Sequence, residues 1–146
     1  MLDPKWLSQA VATAGQITTN DVVDAAHRGF TTIINNRPDG EGGPEQPNAA
    51  TNRQAAEAQG LRYVHLPLTG LQDISLETID AYADALDGAD GAVLAHCKSG
   101  GRSTLLWALV QVRNVGRDID TVVSDAQKAG FDLAQARPVL ERFAQA

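Results

Sequence analysis

The apolar positions of the chain change period along its length, and the changes mark the elements. Phe30-Thr31-Thr32-Ile33-Ile34-Asn35 is short and β-branched, which predicts a buried strand. Leu61-Arg62-Tyr63-Val64-His65-Leu66 predicts a second, ended by Pro67, and Gly91-Ala92-Val93-Leu94-Ala95 a third. A further short strand is expected within residues 11–17. Between the strands the spacing turns helical. Val22, Val23 and Ala26 share a face after Thr18, which is placed to form a capping box with Asp21, and Gly29 takes the position after the helix end. Asn48 starts a helix that stops at Gly60. Ser75 precedes Leu76, Ile79, Tyr82, Ala83 and Leu86 on one stripe. Leu105, Leu106, Leu109 and Val110 face inward on a helix running to about Asn114 and closed by Gly116. Asp118 caps another, with Ile119, Val122 and Val123, closed by Gly130; a last helical stretch starts near Asp132 and is interrupted or restarted near Pro138. Residues 36–47 hold three prolines and three glycines and read as a loop.

Strands alternating with helices predict a single α/β domain over residues 1–146. Its core is a mostly parallel sheet of four to five strands with helices on both faces. Ligands of such sheets sit beyond the carboxyl ends of the strands, and the turn after residues 91–95 puts Cys97 at that edge.

Composition narrows the classes. A chain of 146 residues buries a full core without staples. Eighteen acidic against twelve basic side chains give a formal charge of −6, which argues against a nucleic-acid partner. Cys97 is the only cysteine, so an internal disulfide and a multi-cysteine zinc site are excluded and a cytoplasmic location is expected. No apolar run has the roughly 18 residues that span a bilayer, and Met1-Leu2-Asp3-Pro4-Lys5 lacks the features of a signal peptide. No membrane partner is therefore expected. His27, His65 and His96 lie outside helical spacing of one another, so neither a metal nor another cofactor is expected. The pattern specifies no oligomeric state.

A lone cysteine after a buried strand is ordinarily a small core hydrophobe. Here its neighbours change that. In His96-Cys97-Lys98-Ser99-Gly100-Gly101-Arg102-Ser103 the two glycines allow a tight arc at the start of a helix. Such an arc aims several N–H groups inward and, with the helix dipole, makes an anion site. Arg102 adds a guanidinium fork matched to two phosphate oxygens. The same positive field favours a Cys97 thiolate. Ser103 is placed to donate to the sulfur, His96 to order the loop from beneath, and Lys98 either to steer anions or simply to be solvated. The expected partner is a phosphorylated substrate or a small oxyanion. Trp6 and Trp107 read as packing residues.

The loop His96-Cys97-x-x-Gly100-x-Arg102-Ser103 resembles the phosphate loop of cysteine-dependent tyrosine and dual-specificity phosphatases. With Gln16, the string Gly29 to Glu41 that includes Asn35-Asn36-Arg37-Pro38-Asp39-Gly40-Glu41, and Leu66-Pro67, the chain resembles the bacterial beta-lactamase-hydrolase-like, phosphatase-like domain family from about residue 10 to 136. The resemblance implies a cysteine-phosphatase-like fold and a phosphocysteine mechanism. Cys97 would be the nucleophile, Arg102 and residues 98–103 would hold the phosphate, and an aspartate on an upstream loop would be the general acid. Lys98, Ser99, Gly100 and Gly101 separate Cys97 from Arg102, one residue fewer than in ordinary cysteine phosphatases. That shorter loop also resembles the rhodaneses, which carry sulfur as a cysteine persulfide. Sulfur transfer and a non-catalytic phosphate-binding module thus stand as alternatives, although pure binding has no need of a thiol.

Two aspartates compete for the acid. Asp73 lies in the loop after Pro67, where its plain role is a helix-start carboxylate beside Ser75. Asp39 lies in Pro-Asp-Gly, a strong turn former. Glu41, or no dedicated acid, completes the alternatives. Arg37 either binds substrate, braces the loop, or makes a surface ion pair with Glu41 or Asp39.

Overall fold

The computed structural model describes residues 1–146. Five strands form one sheet: β1 (Lys5–Trp6), β2 (Val11–Ala14), β3 (Phe30–Asn35), β4 (Arg62–His65) and β5 (Ala92–His96), in the order β1-β2-β5-β3-β4. All neighbours run parallel except β1, which pairs antiparallel with β2 at the edge. Side chains alternate across the sheet, as the strand repeat demands. Val11, Ile34, Val93 and Ala95 enter one core; Ala12, Ala14, Ile33 and Leu94 enter the other.

The first core is covered by α3 (Leu76–Asp87), α4 (Gly101–Val110), α5 (Ile119–Lys128) and α6 (Arg137–Ala144), and the second by α1 (Thr19–His27) and α2 (Ala49–Ala58). Every residue of α4 from Ser103 to Val110 is buried. That is why its apolar residues run around the helix: α4 is the central helix of its layer, packed on all sides. It continues as a π-helical turn, Gln111–Val115, and ends at Gly116, whose φ of +84° suits glycine. The expected caps form. Thr18 and Asp21 make both bonds of a capping box, and Asn48, Ser75 and Asp118 each accept from a first-turn amide. Pro138 falls in the first turn of α6, where its missing N–H costs nothing.

The short strand expected within residues 11–17 is β2, Val11–Ala14; it stops before Gly15, which lies against the loop after β5, where a Cβ would stand 2.9 Å from the Lys98 carbonyl oxygen. β1 lacks any periodic signal, being two residues long. Its Trp6 is 49% exposed and stacks on Phe30 with ring centroids 5.2 Å apart, so it covers an edge, whereas Trp107 is buried in the core. No helix is long and apolar enough to cross a membrane.

Candidate active site

The carboxyl ends of β2, β3, β4 and β5 bring four segments together: Gly15–Gln16, Asn36–Glu41, Leu66–Asp73 and Cys97–Ser103. The last is anchored on both flanks. Cys97 N–H donates to the Ala14 carbonyl at 3.4 Å, Gln16 N–H to the Lys98 carbonyl at 3.2 Å, and Asn36 N–H to the His96 carbonyl at 2.8 Å. Gly100 turns the chain into α4 with φ of +97°, and a Cβ there would lie 2.8 Å from Phe131 Cζ. Glycine is required on both counts.

Cys97 is 1% exposed, and its Sγ accepts the Gly100 N–H at 3.1 Å. Burial alone pushes the thiol up. The amides of Ser103, Ser99, Gly100 and Arg102 all favour the thiolate and together outweigh burial, so the Cys97 pKa lies below the ordinary thiol value. His96, directly before it, is fully buried. Burial holds its pKa down at about 4, so it is a neutral imidazole near pH 7. Its Nδ1 stands 3.5 Å from the Cys97 carbonyl oxygen, and its Nε2 has no partner.

The Ser103 hydroxyl does not reach the sulfur. It donates to Asn36 Oδ1 at 2.8 Å, and the Ser103 contribution to the thiolate comes from its backbone amide. Asn36 is a junction: its Nδ2 donates to the Leu66 carbonyl at 2.9 Å and its carbonyl accepts the Leu68 N–H at 2.9 Å. It ties β3, the segment after β4 and the cysteine loop into one body.

Arg102 is held from outside the loop. Nη1 and Nη2 donate to the two carboxylate oxygens of Glu41 at 2.7 and 2.6 Å, and Nη1 also donates to the Leu68 carbonyl at 2.8 Å. Glu41 also accepts from Arg37 Nε at 2.9 Å. The Arg102 hydrogen bond, aided by Arg37 and opposed by burial, lowers the Glu41 pKa from 4.5 to about 2. Arg37 is 7% exposed, so its ion pair with Glu41 is not the surface pair weighed above. Its Nη1 donates to Gln16 Oε1 at 3.2 Å, and its carbonyl accepts from His65 Nε2 at 2.9 Å. Arg37 braces the wall of the site.

The two aspartates differ. Asp39 Oδ1 accepts the Ala49 N–H at 2.8 Å and so closes the start of α2. Asp73 ends a single 3₁₀ turn, Leu71–Asp73, is exposed, and makes no side-chain hydrogen bond or ion pair. Lys98 and Ser99 are exposed on the loop. Ser99, Gln16, Ile17 and Phe131 border a cavity of about 490 Å³ beside it. Gly101 begins α4. The roles of Asn36 in seating Ser103 and of Glu41 in gripping Arg102 are missed by local spacing; the one available signal is that both lie in the Asn36–Glu41 string.

A mostly parallel sheet whose central strand delivers a cysteine of lowered pKa into an arc of amides at the start of a buried helix defines a cysteine-phosphatase-like domain. Within that class, the chain belongs to the beta-lactamase hydrolase-like protein, phosphatase-like domain family, whose profile matches residues 3–114. A beta-lactamase hydrolase-like protein of Xylella fastidiosa strain 9a5c is 38% identical over 138 residues, 94% of this chain and 32% of that protein. The chain thus spans about a third of the length of the curated relatives it matches. Among solved structures, a Neisseria meningitidis protein provisionally assigned as a phosphatase is 32% identical. It superposes with a TM-score of 0.82 over 94% of this chain and 95% of that one. Tk-PTP shares the fold at 18% identity, with a TM-score of 0.71 over 95% of this chain and 93% of that one.

Proposed function

We propose that this domain is a cysteine-dependent phosphatase that hydrolyses a phosphomonoester through a phosphocysteine. The observation that carries the reading is the Cys97 thiol, seated among the amides of Ser99, Gly100, Arg102 and Ser103 and lowered in pKa by them despite its burial. That arrangement serves a thiolate nucleophile and a tetrahedral anion with the same donors. In the first step Cys97 Sγ forms a bond to phosphorus as the bond to the leaving oxygen breaks, and that oxygen takes a proton. In the second, water attacks phosphorus and gives a proton to the carboxylate left by the first step, the S–P bond breaks, and the electron pair returns to sulfur. The loop amides and Arg102 hold the phosphoryl oxygens throughout. Asp73 is the proton donor in this reading: its carboxyl has no other partner, whereas Asp39 is engaged at the start of α2 and both Glu41 oxygens are bound to guanidinium groups.

Sulfur transfer through a Cys97 persulfide is the second reading, favoured by the short connection from Cys97 to Arg102. It requires the thiolate and the cationic groups but no acid. Aryl phosphate hydrolysis and thiosulfate-to-cyanide transfer, measured side by side, separate the two. Hydrolysis is expected to dominate and to vanish in Cys97→Ser with the fold intact. Arg102→Ala is expected to raise KM and lower kcat together, since its contacts persist from ground to transition state. Cys97-dependent transfer without hydrolysis would replace phosphoryl with sulfur chemistry.

A further inference from the structure

The arginine of the anion site has five N–H donors, and the structure shows which of them are spent. Glu41 takes one hydrogen from each of Nη1 and Nη2, at 2.7 and 2.6 Å, across the far end of the guanidinium. The Leu68 carbonyl takes the other Nη1 hydrogen at 2.8 Å. What is left is the side edge, Nε–H and the second Nη2–H, two parallel donors. Arg102 stands in the first turn of α4, two residues after the Gly100 amide that donates to Cys97 Sγ.

We propose that Glu41 is a positioning residue that locks Arg102 with this free edge turned toward the oxyanion seat above Cys97. A guanidinium on a long side chain has many rotamers, and fixing it before the ligand arrives removes that ordering cost from binding. Glu41 is suited to this because it is itself fixed: Arg37 Nε holds it at 2.9 Å, and Arg37 is buried and tied in turn to Gln16. The chain Gln16–Arg37–Glu41–Arg102 thus runs from the loop after β2 across the loop after β3 to α4. It also sets the local charge. Two guanidinium groups and one carboxylate leave a single positive charge from these side chains, and the carboxylate occupies the outer side of Arg102. A compact tetrahedral oxyanion fits the remaining edge, while a second anionic group placed outward of Arg102 would meet Glu41.

The proposal rests on the anion-site reading of Cys97 and Arg102 but not on which group is transferred, so its test uses binding. Orthophosphate titrated calorimetrically into the Cys97→Ser protein is expected to bind about tenfold more weakly when Glu41→Gln is added. Glu41→Ala is expected to lose more, and to regain part of the loss in formate or acetate, which no general loss of structure would allow. In the Cys97 protein, Glu41→Gln is expected to lower kcat/KM through both constants without moving the basic limb of the pH profile. If Glu41→Gln instead tightened orthophosphate, Glu41 would be a competitor for the arginine and the proposal would fail. It would fail equally if phosphate affinity were unchanged, or if only the basic limb vanished, which would mark Glu41 as a proton donor. Should the wild type transfer sulfur rather than hydrolyse phosphate, the phosphatase reading falls while the binding comparison still decides the role of Glu41.

Discussion

Cys97 is buried to 1% exposure yet titrates below an ordinary thiol, and the two facts are reconciled only by the amides aimed at its sulfur. A group whose folded pKa is depressed stabilises the fold fully above its unfolded pKa and loses that contribution as pH falls through the folded one. The stability advantage of wild type over Cys97→Ser is therefore expected to shrink from about pH 8.5 downward, as denaturant titrations over a pH series will report. For Glu41 the corresponding window lies lower: its contribution is complete above pH 4.5 and fades as pH approaches about 2. The aspartates separate at this scale too. Asp73→Asn is expected to lower kcat about 10²–10⁴-fold on substrates with poor leaving groups and to remove the basic limb of the profile. Asp39→Ala is expected to cost about 1 kcal/mol of stability at the start of α2 with kcat unchanged. Steady-state kinetics and thermal melts on the two variants distinguish them, and reversed outcomes would exchange the roles.

At the scale of elements, the strand-loop-helix unit β5–Cys97–α4 carries the proposed chemistry, and its weak point is Gly100. Alanine there must adopt a left-handed backbone, costing roughly 1–2 kcal/mol, and must push its methyl into Phe131. Gly100→Ala is expected to shift the amide that donates to Cys97 Sγ and so raise the thiol pKa, read from an iodoacetate pH–rate profile; an unchanged inflection would mean the loop amides are not what activates the sulfur. Much of this unit was legible in the sequence. Gly100 and Gly101 announced the arc, the β-branched run 30–35 announced β3, and Thr18, Asn48, Ser75 and Asp118 announced their helices, because caps and glycine turns are local physics. β1 was not legible, since two residues make no period. Nor was the course of the Ser103 hydroxyl: its choice of Asn36 over sulfur depends on a strand end 67 residues away. The grip of Glu41 on Arg102 spans 61 residues and is equally invisible to spacing.

For the molecule as a whole, a formal charge of −6 accompanies an anion site proposed at Arg102 and the loop amides, with Arg37 behind it. Long polyanions meet mostly like charge, so duplex DNA and polyphosphate are expected to bind far more weakly than orthophosphate at moderate salt. Fluorescence anisotropy and calorimetry would show this, and tight DNA binding would contradict it. The lone thiol has no second cysteine in this chain to resolve an oxidised form, so oxidised Cys97 is expected to need an external thiol for recovery. The most direct test of the central claim is to quench the enzyme rapidly during turnover of an aryl phosphate and determine the mass of the peptide carrying Cys97. A phosphoryl group on Cys97 that forms and decays with turnover, and is absent in Cys97→Ser, is the predicted result. Turnover with Cys97 unmodified, or carrying only an added sulfur, would contradict it.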